Sequence, residues 1–537
     1  MTRMGDIIQS IPFIRRLRRR NPDVQIDLFV ERCFADVAAL LPGIDNIIEV
    51  GLEDLLLCFD REQGVDVGKG ITYYRRLVDS LRLTGYHEVW NLTHTKPFTV
   101  LSSLVGGEHA NGVTLDGGGL QKVNKAWLKY FYATNLARPW CQFNLVDIYA
   151  NCIDEIPEEY GRSVAIEAEL YKGKWPAEYQ PKQHQPRVAI HPGASQKAKM
   201  WLAESYMETA KRLNAAGNEI VLIGGKSDRK LAEQIALHVP VINLVGKTAI
   251  KELAAVLADC DLLISNDSGP MHMAAAVGTT VIAITLGSAL GSETAPYGEN
   301  HWVIEPKTQC YPCVAEKVCR HQSCANLITT EHVVQLANSI LYHKAVPVSV
   351  SNDQNIRLYR TTQAGHDAQL ELIRYGDSAS DERELRNHLL RGIWPLWLDG
   401  ETQVDTSRMM FDPTLQKPVL EIISAAKHSE RLCREIADCN PASQGGLTRI
   451  ETLSMQLYQA DQKLNQLLGS VDMLKSVLAY LMIEKGSVAG DTLPEQARQT
   501  AALYRNMTRM LSAAVDYPAI KKSKQKKDKE VYYENLA

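Results

Sequence analysis

The chain has 537 residues, too many for one hydrophobic core, so two or three domains are expected. Apolar residues make up 45%, charged residues 23%, and the formal net charge is −4. These values suit large cores and exclude the global basic field that gathers nucleic acid. No apolar run approaches the ~20 residues that span a bilayer. The opening MTRMGDIIQSIPFIRRLRRR lacks a signal peptide's order of basic residues, long apolar stretch and small-residue cleavage site. Eleven cysteines, an odd number in a long chain, argue against a disulfide framework and for a reducing compartment. The expectation is a cytoplasmic protein.

In chain order, the first ~345 residues alternate short β-type runs with helical patterns, as parallel α/β layers do. QIDLFV (25–30), HEVWNL (87–92), RVAIHPG (187–193), EIVLIGG (219–225), DLLIS (261–265) and TVIAIT (280–285) read as strands. ADVAALL, AESYMETAKRLNAAG and AIKELAAVLADC carry apolar residues at three and four spacing and read as amphipathic helices. A polar, proline-containing stretch at 173–186 suits an interdomain linker. This predicts an N-terminal Rossmann-like domain over 1–172 and a second over 187–345, followed by an accessory region over 346–445. Within that region 355–375 reads as a β-hairpin around Ala-Gly-His-Asp. From Ile450 to Leu481 apolar residues recur at three-four spacing, predicting one helix of roughly 50 Å. Gly486 ends it, and a second helix runs from Pro494 to about Val515. The 446–520 region is thus a helical hairpin, or a coiled coil that would join copies of the chain through 450–481. Residues 521–537, with KKSKQKKDKE, form a solvated basic tail.

Chemistry concentrates in loops that follow predicted strands. In DLLISNDSGPMHMAA (261–275), Pro270 fits a first helical position and Ser268 or Asp267 can cap the helix. Unpaired N–H groups of the first turn then offer a site for phosphate oxygens, with Gly269 allowing close approach and His272 on the first turn. HPGASQKAKMW (191–201) adds Ser195, Lys197 and Lys199 on the same edge; a lysine supplies a compensating point charge. IGGKSD (223–228) adds Asp228, placed to accept hydrogen bonds from ribose hydroxyls. Together these loops suggest a nucleoside diphosphate across the second domain. In the first domain Asp6 either caps the following helix or is a carboxylate facing the other domain, able to take a proton from a hydroxyl. Cys310, Cys313, Cys319 and Cys324 form C-x2-C-x5-C-x4-C, a pattern that can close a structural Zn or Fe site or remain reduced with a packing role.

Over roughly residues 1–345 the chain resembles the family 9 glycosyltransferases, the ADP-heptose lipopolysaccharide heptosyltransferases. The matching stretches are MGDIIQSIP (4–12), LRRRNPDVQIDLFV (17–30), HPGASQKAKMW (191–201), LVGKTAIKELAAVLADCDLLISNDSGPMHMAAAVGT (244–279) and APYGE (295–299). The resemblance implies a GT-B fold, donor nucleotide-sugar in the second domain, acceptor in the first, inversion at the anomeric carbon and no catalytic metal. Asp6 matches the family's general base and Lys199 its donor-phosphate lysine. Asp267 matches the carboxylate that holds the donor sugar, and Ser268 and Gly269 match the diphosphate-binding amides. Thr248 falls where the family contacts the nucleobase, and Ser195 takes the place of a phosphate-binding threonine. Asp228 matches the ribose acid loosely, because its loop is one residue shorter than in the heptosyltransferase I type. His272 matches a histidine of the same motif. Similar cysteine clusters occur here in heptosyltransferase II-like relatives and, with iron, in autotransporter heptosyltransferases.

In the family a buried strand precedes the Gly-Asp motif; here only Met1, Thr2 and Arg3 precede Met4. This predicts a gap in the first sheet, and reads either as a recorded start that is too late or as a catalytically crippled chain. Three functions follow as expectations. One is heptose transfer from ADP-heptose to lipopolysaccharide core or another cell-envelope glycan, with peripheral contact at the inner membrane. The second is transfer to a protein such as an autotransporter or flagellar protein, and the third is an inactive scaffold of this fold.

Overall fold

A computed structural model describes residues 3–51, 59–60, 64–65, 67–93, 95–153, 162–176, 179, 185–313, 319, 321–364, 369–376, 381–400 and 412–515. It divides into two compact units, one of residues 1–128 with 143–379 and one of residues 129–142 with 380–537.

The first unit begins with helices α1 (Met4–Gln9) and α2 (Ile11–Arg20), followed by strands β1 (Asp27–Glu31), β2 (Asn46–Val50) and β3 (Val89–Asn91). Helix α3 (Lys96–Gly106), strands β4 (Ala110–Leu115) and β5 (Gln121–Val123) and helix α4 (Leu145–Ala150) also lie in its N-terminal half, as do a helix over Val67–Thr84 and a short strand pair, Phe59–Asp60 with Gly64–Val65. These strands make separate sheets: β1 pairs with β2 in parallel, while β3, β4 and β5 form another. Among the described residues the two sheets are not joined to one another. ADVAALL, expected to be a full helix, yields only Ala35–Ala38. Four residues make a single turn, too short to follow from periodicity alone.

The second half is one eight-stranded sheet. Strands β6 (Arg187–His191), β7 (Glu219–Leu222) and β8 (Ile242–Asn243) alternate with helices α5 (Ala203–Ala215) and α6 (Ile250–Ala258). Strand β9 (Leu262–Asn266) leads into helix α7 (Gly269–Ala276), then β10 (Thr280–Ile284) and β11 (Trp302–Pro306). The order is β8-β7-β6-β9-β10-β11, all parallel. Val188, Ile190, Ile220, Leu222, Leu262, Ile264, Ile282 and Ile284 are almost wholly buried, as expected of strands covered on both faces by crossover helices.

The sheet continues beyond residue 345. Strands β12 (Ile356–Ala364) and β13 (Gln369–Arg374) form the expected hairpin, although its turn, 365–368, lies outside the described residues. β12 pairs antiparallel with β11, Trp302 opposite Arg360. An edge strand with open N–H and C=O groups recruits the next extended segment, so the sheet continues past the α/β pattern that marked it. The linker at 173–186 is docked at its start, where Gly173 N and Trp175 Nε1 donate to Asp259 Oδ2 at 2.9 and 2.8 Å.

The second unit is helical: α8 (Glu382–Ile393), α9 (Gln416–Asp438), α10 (Gly446–Ser470), α11 (Lys475–Gly486) and α12 (Leu493–Val515). The single helix expected over 450–481 is broken. Val471 leaves the helical region at φ −108°, ψ 107°, directly after Gly469 and Ser470, two residues of lower helix propensity than their neighbours. The apolar spacing survives the break because Leu453, Leu464 and Leu468 on one side and Leu474, Val477 and Leu481 on the other are all buried. The helix α9, which the pattern did not reveal, packs against both α10 and α12, so the apolar face is covered within the chain. Asp461 on α10 is bonded by Lys485 Nζ at 2.7 Å and by the Tyr504 hydroxyl. The basic tail at 521–537 lies outside the described residues.

Aromatic packing fixes this unit. Trp394 is fully buried, with Tyr130, Tyr480 and Trp397 ring centroids at 5.1, 5.4 and 6.3 Å. Trp394→Ala is expected to cost about 3–5 kcal/mol. Chemical denaturation followed by near-UV circular dichroism would measure it.

Candidate functional site

The parallel sheet reverses its build direction between β6 and β9: β7 and β8 extend one way from β6, and β10 and β11 the other way from β9. Loops at the carboxyl ends of two such strands diverge and leave a crevice. Of the nine residues expected to act in the second half or against it, Ser195 and Lys199 follow β6, Asp228 follows β7 and Thr248 follows β8. Asp267, Ser268, Gly269 and His272 follow β9, and Asp6 lies on α1.

Asp267 is 8% exposed and its Oδ2 accepts from Lys199 Nζ at 2.7 Å. His272 Nε2 is 4.0 Å from Asp267 Oδ1. Burial raises the Asp267 pKa, but Lys199, His272 and a hydrogen bond from Thr294 outweigh it and hold the carboxyl below its ordinary value. A charged carboxylate at the start of α7 thus carries its own counter-ion. Lys199 is delivered by the 3-10 turn Lys197–Lys199, which is pinned on both sides. Trp201 is 1% exposed and donates Nε1 to Ile328 O at 2.8 Å. Gln322 Nε2 donates to Lys197 O at 2.6 Å. Ser195 is exposed on the preceding bend and Thr248 is half-buried just before α6.

Two expectations for α7 need correction. Ser268 occupies the N-cap position, yet its side chain makes no capping hydrogen bond. Pro270 is the second helical residue, Gly269 being the first. Gly269 and Gly5 instead serve close packing: a Cβ on Gly269 would lie 2.8 Å from Met4 Sδ, and one on Gly5 would lie 2.7 Å from His272 Cδ2. The start of α1 therefore lies directly on the start of α7. Asp6 is half-buried in the first turn of α1, rather than in a loop before a helix.

Asp228 is turned inward. Its Oδ2 accepts from Gly225 N at 2.8 Å and lies 3.6 Å from His191 Nε2. Burial raises its pKa, and His191 with the Gly225 amide more than offsets this, leaving it below the ordinary carboxylate value.

Sequence reasoning passed over His191, Asn266, Ser265 and Thr294. His191 and Asn266 are the last residues of β6 and β9. Asn266 Oδ1 accepts from Trp201 N at 2.9 Å, and its Nδ2 donates to Pro192 O and Gly193 O at 3.1 and 3.0 Å, tying the two loops together. A polar residue ending an otherwise apolar buried strand is the signal that could have found both.

The cysteine loop is only partly described. Cys310 is exposed, Cys313 and Cys319 are half-buried and Cys324 is buried. Burial raises the Cys313 pKa, and Cys319, Cys324 and Cys310 raise it further. Among the described residues no group of three or more His, Cys, Asp or Glu side chains is placed to hold a metal ion. Residues 314–318 and 320, between these thiols, lie outside the described set. Among the described residues no helix is long and apolar enough to cross a membrane.

Residues 119–324, which carry both pinned loops, match the family model described as glycosyltransferase family 9 (heptosyltransferase). This part of the chain is similar to glycosyltransferase family 9. Lipooligosaccharide heptosyltransferase 2 of Campylobacter jejuni is 32% identical over 163 residues, 29% of this chain and 50% of that protein. Lipopolysaccharide heptosyltransferase 2 of Salmonella typhimurium is 23% identical over 360 residues, 64% of this chain and 97% of that protein. The chain spans about half the length of the Campylobacter and Haemophilus relatives it matches at 31–32% identity. A family 9 glycosyl transferase from Veillonella parvula superposes with a TM-score of 0.50 at 19% identity, covering 64% of this chain and 96% of that one. The α/β architecture is therefore a GT-B fold, with further helices after residue 380.

Two expectations follow for the isolated protein. Lys199→Met strands a buried carboxylate, so it should cost about 3 kcal/mol in thermal or denaturant unfolding without any ligand. His272 is held at about 4 by burial, with Asp267 pulling it up and Lys199 pushing it down. The unfolded chain binds this proton near 6.5, so the contribution is full above about pH 6.5 and is lost as pH falls toward about 4. His301, also held at about 4 by burial, acts in the same sense. His272→Gln should therefore flatten the fall in melting temperature between pH 7 and pH 5 without abolishing it.

Proposed function

We propose that the chain is an inverting glycosyltransferase that moves heptose, or a closely related sugar, from a nucleoside diphosphate donor to an envelope glycan. ADP-heptose and lipopolysaccharide core are the donor and acceptor of first choice. The observation that carries this reading is the Lys199–Asp267 ion pair at 2.7 Å on the N-terminus of α7, with the Asp6-bearing turn packed against it.

The chemistry needs a base on one face of the sugar and a sink for negative charge on the other. Asp6 takes the proton of the acceptor hydroxyl as its oxygen bonds to the anomeric carbon. The bond from that carbon to the diphosphate oxygen breaks, and the diphosphate leaves with the electron pair. Charge grows on the leaving group, where Lys199 and the Ser268 and Gly269 amides, at the positive end of α7, favour it. Asp267 holds the sugar and sets the position of Lys199. Thr248 lies where a nucleobase would rest, Ser195 on the phosphate side, and Asp228 on the ribose side once its carboxylate turns outward. Contact with the inner membrane would be peripheral, through the acceptor.

A protein acceptor is the second reading, supported by the helical unit after residue 380, which lies outside the matched residues 119–324. Incubation of the protein with ADP-heptose, a deep-truncated lipopolysaccharide and a candidate polypeptide separates the outcomes: a modified glycan, a modified protein, or neither for an inactive scaffold. Within this mechanism Asp6→Asn should lower turnover by roughly 10²–10⁴-fold while ADP affinity by calorimetry stays within about twofold. Unchanged turnover would remove Asp6 from the chemistry.

A further inference from the structure

A serine at a helix N-cap ordinarily turns its hydroxyl over the first-turn N–H groups and satisfies them. Ser268 does not: it sits at the N-cap of α7 in extended conformation, φ −157° and ψ 166°, with no side-chain capping bond. Its Oγ lies instead 2.9 Å from His191 Nδ1 and 3.0 Å from Ser265 Oγ. Ser265 already donates to Asn266 O at 2.8 Å. His191 is 5% exposed, and its other nitrogen, Nε2, faces Asp228 Oδ2 at 3.6 Å. Asp228, held below the ordinary carboxylate value, only accepts. The tautomer that suits both neighbours carries the proton on Nε2 and leaves Nδ1 to accept the Ser268 hydroxyl proton.

We infer that His191 is a positioning residue that draws the Ser268 hydroxyl away from the α7 N-terminus and so keeps the first-turn amides open for the donor diphosphate. This rests on the donor-site reading above. The capping oxygen and a phosphate oxygen compete for one place in front of Gly269 and Met271. Without His191, the hydroxyl returns to cap the helix and fills that place. Met271 N makes a tight-turn contact to Ser268 O at 3.2 Å, and a returning hydroxyl would meet this donor at the third helical position. Asp228 takes part because it fixes the histidine tautomer. The ribose end and the diphosphate end of the site are thereby joined through one imidazole.

Calorimetric titration of the full chain with ADP and with inorganic pyrophosphate tests this in four proteins: unmodified, His191→Ala, Ser268→Ala and the double variant. The expected result is a loss of about tenfold in affinity for both probes in His191→Ala. Ser268→Ala supplies the background for the cycle: in it the further change His191→Ala should cost less than about threefold, so that most of the loss is recovered in the double variant, because no capping hydroxyl remains to be held away. His191→Asn, whose amide reaches the Nδ1 position, should also recover it. A purely structural role for His191 gives no recovery in the double variant, and that result overturns the inference while leaving the donor site standing. Unaltered affinity in His191→Ala overturns it equally. If the unmodified protein binds neither probe, the donor-site reading falls and takes this inference with it.

Discussion

A buried carboxylate at a helix N-terminus is the constraint around which this fold is arranged. Asp267 is 8% exposed, and an ionised group in such a place persists only with a partner and hydrogen bonds around it. Lys199 supplies the partner, and Lys199 must therefore be brought to one spot with little freedom. Trp201 buried beneath it, Asn266 clasping the Trp201 amide and Gln322 holding the Lys197 carbonyl all follow from that requirement. The geometry of the ion pair is thus settled by packing.

The sheet determines where this can happen. Among the described strands of this sheet, β6 and β9 are the adjacent parallel pair that send their crossovers in opposite directions, so their strand-end loops part there. Asn266 and His191, one from each of these strands, link the loops across the opening. The same crevice receives α1 from the other half, where Gly5 and Gly269 let backbone approach side chain without a Cβ in the way. Any larger residue at either glycine would push α1 away from the start of α7. The starts of α1 and α7 are therefore joined by steric contact.

The helical unit obeys a different logic. Its apolar stripes face one another, α9 against α10 and α12, so the faces that could have made an intermolecular coil are occupied within the chain. Asp461, bonded by Lys485 and Tyr504, sets the register of these helices, as a polar group in an apolar seam does.

The sequence by itself determined the alternation of strands and helices, the polar knot after Leu262–Ser265, and the lysine turn before Trp201. These are local: period-two and period-three-four burial, turn residues and charge types are written within a dozen positions. What it left open were facts of distance. No spacing along the chain says that Ser268 meets His191 instead of its own helix, that Asp228 turns inward, or that β12 adds to β11. Nor does it say that apolar spacing continuous through Val471 hides a break. Each of these depends on which groups compete for the same hydrogen bond or the same sheet edge once distant segments meet, and only the tertiary structure settles that competition.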